Sequence, residues 1–298
     1  MKLIAFIIIY PILWFVSILP FSILYKLSDF VYFLVYYIIK YRKKSVRGQL
    51  QLTLPNYSKE ELLKIEKKFY AHLCDLFLEM IKTMSISEKE IAKRFRFTNL
   101  ELIKDLELQK KSIAIMCAHY ASYEWIISLN KFIDFKGYAI YKKINNFYFD
   151  DLVRKIRLRF KANLITTKET IPVIEENYRK NILGVYGFAS DQSPQLHSAR
   201  YWKDFLGINV PVYTGAEMLA KKFDMNVVFL RTKKIKRGHY EATFEILAQN
   251  VKEIPDYEIT DKFLNLVEKQ ILEAPEFYFW THKRWKHAGK NPNLQTTI

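Results

Sequence analysis

Hydrophobic positions dominate the start of this chain. Leu3 through Tyr25 form 23 residues without a charged side chain, interrupted only by Pro11 and Pro20. About 20 apolar residues are enough to cross a bilayer core. A second apolar stretch runs from Phe30 to Ile39, and Lys40, Arg42, Lys43, Lys44 and Arg47 follow it. A secretory signal fits poorly, because its apolar core is typically about 7–15 residues long and ends at a small-x-small site that is missing here. We read residues 1–47 as a membrane anchor with a juxtamembrane basic segment. By the positive-inside tendency, residues 48–298 then lie on the cytoplasmic side. The prolines leave open whether the anchor spans the bilayer or lies in its interface. A buried helical hairpin of a soluble core is the rival reading.

Past residue 47 the rhythm changes. Residues 59–86 carry helical spacing, with Leu62, Ile65, Phe69, Leu73, Leu76 and Met80 three or four apart. Residues 112–118, SIAIMCA, are a short apolar run that reads as a buried strand. A helix is expected next, with Ser122 as its N-cap and Trp125, Ile126, Leu129, Phe132 and Ile133 on one face. Further strands are predicted near 137–142, 182–189 and 226–231, with helices near 147–160, 169–179, 214–223 and 259–273. An edge pair is expected at 239–247, where Tyr240, Ala242, Phe244 and Ile246 alternate with more polar positions. Such alternation predicts an α/β fold, a largely parallel central sheet flanked by helices behind an N-terminal hydrophobic anchor.

Composition narrows the class. Of 298 residues, 50% are hydrophobic and 16% aromatic, which excludes disorder and collagen-like composition. Lys and Arg outnumber Asp and Glu by 47 to 31, so the net charge of +16 points to an anionic partner. The two cysteines, Cys74 and Cys117, offer neither a disulfide framework nor metal-ligand spacing. A nucleic-acid-binding protein tethered to a membrane shares this charge footprint, but no RNA-recognition or zinc-finger signature accompanies it.

In an open α/β sheet, ligands bind beyond the carboxyl ends of the strands. The residues expected there are polar: His119 after the first strand, Lys142 and Lys143 after the second, and Asp191, Gln192, Ser193 and Pro194 after the third. His119 and Glu124 are five apart, which on a regular helix places them on different sides. With His119 on the preceding turn, Glu124 can fold back toward it. A carboxylate on one ring nitrogen would leave the other free as a general base. That device suits removal of a hydroxyl proton as the oxygen attacks an activated acyl group. Metal binding lacks a third ligand at supporting spacing, and HExxH is absent. Cys117 as a covalent nucleophile conflicts with its place in an apolar run. GxSxG, the Walker phosphate loop and GxGxxG are missing as well.

Taken in order, AHYASYEW at 118–125, IYKKINN at 140–146, SDQSP at 190–194, WKDFLG through VPVYTG at 202–215, and FYFWTHKRWKH at 277–287 resemble the late acyltransferases of lipid A biosynthesis. These lauroyl and myristoyl transferases of the bacterial inner membrane share a His-x4-acid motif with the wider glycerolipid acyltransferases. The resemblance implies a catalytic dyad of His119 and Glu124. It implies transfer of a fatty acyl chain from acyl carrier protein, or from coenzyme A, to a hydroxyl of a phosphorylated glycolipid, with no further cofactor and no nucleic acid. Another glycolipid, a phospholipid or an aminolipid is the alternative acceptor. Lys142 stands where the family has an arginine, which keeps the charge but loses a bidentate fork. Asp191 matches the aspartate of the family's DQ segment, and Gln192 follows it as a second substrate-binding residue. Basic clusters at 154–161, 233–237 and 282–287 are expected to face anionic headgroups, an acidic carrier protein or substrate phosphates. Arg284, between Trp280 and Trp285, is the residue expected to contact a phosphate.

Overall fold

The computed structural model describes residues 2–292. Helix α1 (Lys2–Ile18) ends before Pro20, which starts α2 (Phe21–Phe33). The latter continues through a wider π turn over Leu34–Ile39. Phe21–Ile39 is by length and composition alone a helix able to cross a membrane. Helices α3 (Lys43–Thr53) and α4 (Lys59–Lys82) follow. At the start of α4, Ser58 Oγ accepts the Glu61 N–H and Glu61 Oε2 accepts the Ser58 N–H, closing a capping box. Its apolar stripe of Leu62, Ile65, Phe69 and Leu73 enters the core, as the spacing predicted.

The first two helices are fastened to the body by buried polar groups. Ser28 Oγ donates to Asp75 Oδ1 on α4, and Tyr25 Oη donates to Glu79 Oε1. Arg237 bridges Asp75 and Asp29, so α2, α4 and the turn at 237–238 meet at one ionic knot. Removing one partner from such a knot would strand a buried charge, which is why it fixes the docking of α2.

The remaining elements are α5 (Glu88–Arg94), β1 (Phe95–Phe97), α6 (Leu100–Leu108), β2 (Ile113–Cys117), a 3-10 segment (Tyr123–Lys131), β3 (Lys136–Tyr141), α7 (Phe147–Leu158), β4 (Asn163–Thr166), α8 (Thr170–Arg179), β5 (Gly184–Ala189), β6 (Tyr201–Phe205), β7 (Ile208–Val212), α9 (Gly215–Lys222), β8 (Asn226–Lys236), β9 (His239–Ala248) and α10 (Glu258–Glu273). Seven strands form one sheet in the order β1-β9-β8-β2-β5-β3-β4, with every pair parallel except β8–β9. All of β2 is buried, as a strand between parallel neighbours should be. The predicted α/β architecture is therefore correct.

Several details depart from the sequence reading. The pair at 239–247 is not an edge, because β1 covers the far side of β9 in parallel register. Short strands β1 and β4 and the separate antiparallel hairpin β6–β7 were not anticipated. The segment after Ser122 winds as a 3-10 rather than an α-helix, and Ser122 makes no side-chain cap. Ala121, at φ 49°, turns the chain left-handed just before Ser122.

Candidate active site

Because β2 and β5 are parallel neighbours, their carboxyl ends open side by side. His119 leaves β2 and Asp191 leaves β5. The Nδ1 of His119 lies 2.7 Å from Asp191 Oδ1, and the His119 backbone N–H donates to the same oxygen at 3.1 Å. Glu124 was the carboxylate expected on one nitrogen of this ring. Glu124 instead accepts from Arg157 Nη2 at 2.9 Å and borders the same cavity as the imidazole. The reason is geometric: the 3-10 segment carries Glu124 toward α7, whereas strand register delivers Asp191 to the ring.

Burial alone would lower the His119 pKa, but the charge and hydrogen bond of Asp191, with the field of Glu124 behind them, hold it above its ordinary value. Burial would raise Asp191, and the ring together with the His119 N–H outweighs it and holds the carboxyl below its usual range. An ionised Asp191 fixes the proton on Nδ1 and leaves the Nε2 lone pair available. The turn itself is braced by a C-terminal strap, residues 274–287. Ala121 N donates to Phe277 O, Phe279 N donates to His119 O, and the rings of Tyr123 and Phe279 lie 5.0 and 6.2 Å from the imidazole.

His119, Glu124, Lys142, Arg157 and Gln192 line the polar end of a cavity of about 490 Å³. From there it runs back along the sheet toward the amino end of β3, under the 3-10 segment. Its floor is built of small side chains: Gly137 and Ala139 on β3, and Gly187 and Ala189 on β5. Register places Ala139 beside Gly187 and Gly137 beside Val185. Ile126, Ile127, Leu129 and Ile133 roof the trough. An apolar trough ending in an imidazole base can hold an unbranched chain with its reactive end at the rim. The sequence held a signal for it that went unread: small residues two apart in G-Y-A at 137–139 and in G-F-A at 187–189, leaving one sheet face bare.

Cys117 also borders the cavity, but burial, assisted by the charge of Asp191, pushes its thiol up to about 12. A neutral thiol is no nucleophile near pH 7. Among the described residues no group of three His, Cys, Asp or Glu could hold a metal ion.

Arg284 is a correction. It is 1% exposed and donates from Nη1 to Pro211 O, with its guanidinium stacked 5.0 Å from the Phe205 ring. Trp280, Trp285 and Tyr278 of the same strap turn inward and carry the arginine with them, so it does not reach the cavity. The other basic clusters are also partly committed internally. Arg159 donates to the carbonyls of Thr83 and Ile86, and Lys234 and Arg237 pair with Asp75. Lys142 and Lys143 remain exposed beside the cavity mouth. Arg157, read from sequence only as one member of a basic cluster, pairs with Glu124 and lines the same cavity as the imidazole.

Fold and site together show an α/β protein in which an imidazole–carboxylate pair stands at the lip of a hydrophobic trough. Residues 2–287 match the family model described as bacterial lipid A biosynthesis acyltransferase, and the chain belongs to that family. It is 24% identical over 277 residues to the lipid A biosynthesis lauroyltransferase of Escherichia coli (strain K12), covering 92% of this chain and 89% of the relative. It is also similar to the lipid A biosynthesis palmitoleoyltransferase of the same organism, at 22% identity over 289 residues with 92% and 89% covered.

Proposed function

We propose that the protein moves a fatty acyl chain from a thioester, carried on acyl carrier protein or coenzyme A, to a hydroxyl of a lipid A precursor. The observation that carries this reading is the His119–Asp191 pair at the mouth of an apolar cavity, in a chain of this family. In it, the acyl chain lies in the trough and the thioester carbonyl sits at the rim. Nε2 of His119 takes the hydroxyl proton as the acceptor oxygen attacks the carbonyl carbon. Collapse of the tetrahedral intermediate breaks the carbon–sulfur bond, and the departing thiolate takes the proton from the imidazolium. Asp191 holds the tautomer and stabilises the transient imidazolium, as the buried acid of a triad does. The thioester is already activated, so no acyl-enzyme is required.

Glu124 and Arg157 form the second charged pair at the mouth. Held by Arg157, Glu124 steadies the imidazolium through space. Lys142 attracts an acceptor phosphate as a point charge, and Gln192 supplies hydrogen bonds to its sugar or linkage. Large side chains of α1, α2 and the π turn, among them Ile4, Ile7, Ile8, Phe15, Phe30 and Ile39, are exposed, which supports attachment to a membrane. Lys40, Arg42 and Lys44 beside them suit an anionic leaflet, on the cytoplasmic face of the inner membrane. Incubating the purified protein with an acyl thioester and a phosphorylated glucosamine-disaccharide lipid, then weighing the product by mass spectrometry, tests the reading. The mass should rise by one acyl chain, and an unchanged acceptor would overturn it.

A further inference from the structure

The trough has an inner end as well as a mouth. Gly137 lies near the start of β3, and a Cβ placed there would meet Asn130 Oδ1 at 1.5 Å. The amide of Asn130 therefore fills the volume that any larger residue at 137 would claim. The same amide donates from Nδ2 to Ile127 O at 2.7 Å, which fixes its rotamer, and Ile133 stands within van der Waals distance of the Gly137 position. A polar, hydrogen-bonded amide is a poor neighbour for a terminal methyl, because displacing it would break that bond without replacement. By contrast, a Cβ at Gly187 would meet only Tyr138 O, at 3.6 Å, so the middle of the trough has room.

Resting on the acyl-transfer reading, we propose that Asn130, seated against Gly137, is the end stop that sets the acyl-chain length this enzyme accepts. Strand register puts Gly137 level with Val185 and so with Ile113, six residues before His119 on the same chain path. At about 3.3 Å per residue that span is about 20 Å. Carbon–carbon bonds of about 1.5 Å advance about 1.25 Å each in an extended zigzag, so the trough takes roughly 12 to 16 carbons. A pocket that ends in a fixed group discriminates sharply, since one methylene too many or too few is typically worth about ten- to two-hundred-fold in specificity.

The test is competition among saturated acyl thioesters of about 10 to 18 carbons, with the product distribution read by mass spectrometry. Asn130→Ala should lengthen the preferred chain by about two carbons or more, raising the long-to-short ratio about tenfold. Gly187→Val, which narrows the trough nearer the rim, should shift the distribution the other way. Identical distributions in wild type and Asn130→Ala would overturn the stop. Binding of free fatty acids over the same lengths, followed by thermal shift, reads the stop without turnover. An enzyme that transfers nothing but whose length profile moves on Asn130→Ala would refute the function and keep the stop. A profile that stays put would refute the stop itself.

Discussion

Two carboxylates serve the cavity mouth in different company, Glu124 lining it and Asp191 standing behind the imidazole. Asp191, whose side chain is 1% exposed, arrives at the end of a central strand and spends one oxygen on both the ring and the backbone N–H of His119. Glu124, at 19%, hangs from a 3-10 segment and is paired with Arg157, itself 16% exposed. In the first pair sheet register fixes Asp191 and burial shields its carboxylate from water, while the His119 side chain, 21% exposed, faces the cavity mouth. The second is held by one ion pair between two separate elements that water reaches. The acid five residues away in sequence is thus not the acid on the imidazole, because parallel strands make distant segments into neighbours at their carboxyl ends.

The contrast predicts an order of effects. His119→Ala removes the base and should reduce acyl transfer about 10⁴-fold or more while circular dichroism and membrane binding stay as in wild type. Asp191→Asn keeps the shape but releases the tautomer, and should cost nearly as much, about 10³–10⁴-fold in kcat. Glu124→Gln acts only through space and should cost about 10²-fold, with Arg157→Met similar and the double variant little worse than either, since the two act as one unit. A Glu124→Gln loss equal to that of Asp191→Asn would erase the distinction between the two acids. The smallest effect is expected from Lys142→Ala: a rise in KM of about tenfold at low salt that shrinks as salt screens the attraction in both proteins. A loss confined to kcat and indifferent to salt would remove phosphate attraction from Lys142.

Much of the frame was readable from the chain. Buried parallel strands announce themselves as short apolar runs, and IAIMC between its polar flanks did so without ambiguity. Strand β4, four residues of mixed character, carries no such signal, and β1 has only three residues. The site residues at strand ends were also legible, because topology sends them to one rim whatever the strand order. Which acid meets the imidazole was not legible, since that depends on β5 lying beside β2, and no local pattern encodes strand order. Arg284 misled for a related reason. Aromatic residues interleaved with cations look alike at a headgroup surface and in a strap folded inward, and only burial tells them apart.

The His119–Asp191 pair also has a signature in pH. With its folded pKa raised above the ordinary 6.5, His119 stabilises the fold fully below that value, and the contribution fades as pH rises through the higher folded one. Catalysis runs the other way, because the base must be neutral. The most direct measurement is therefore the pH dependence of kcat/KM for acyl transfer in wild type and in Asp191→Asn. The rising limb should lie above pH 6.5 in the wild-type enzyme and move to lower pH when the charge at 191 is removed. A limb that stays in place in Asp191→Asn, or that moves only in Glu124→Gln, would contradict the assignment of Asp191 as the partner of the base.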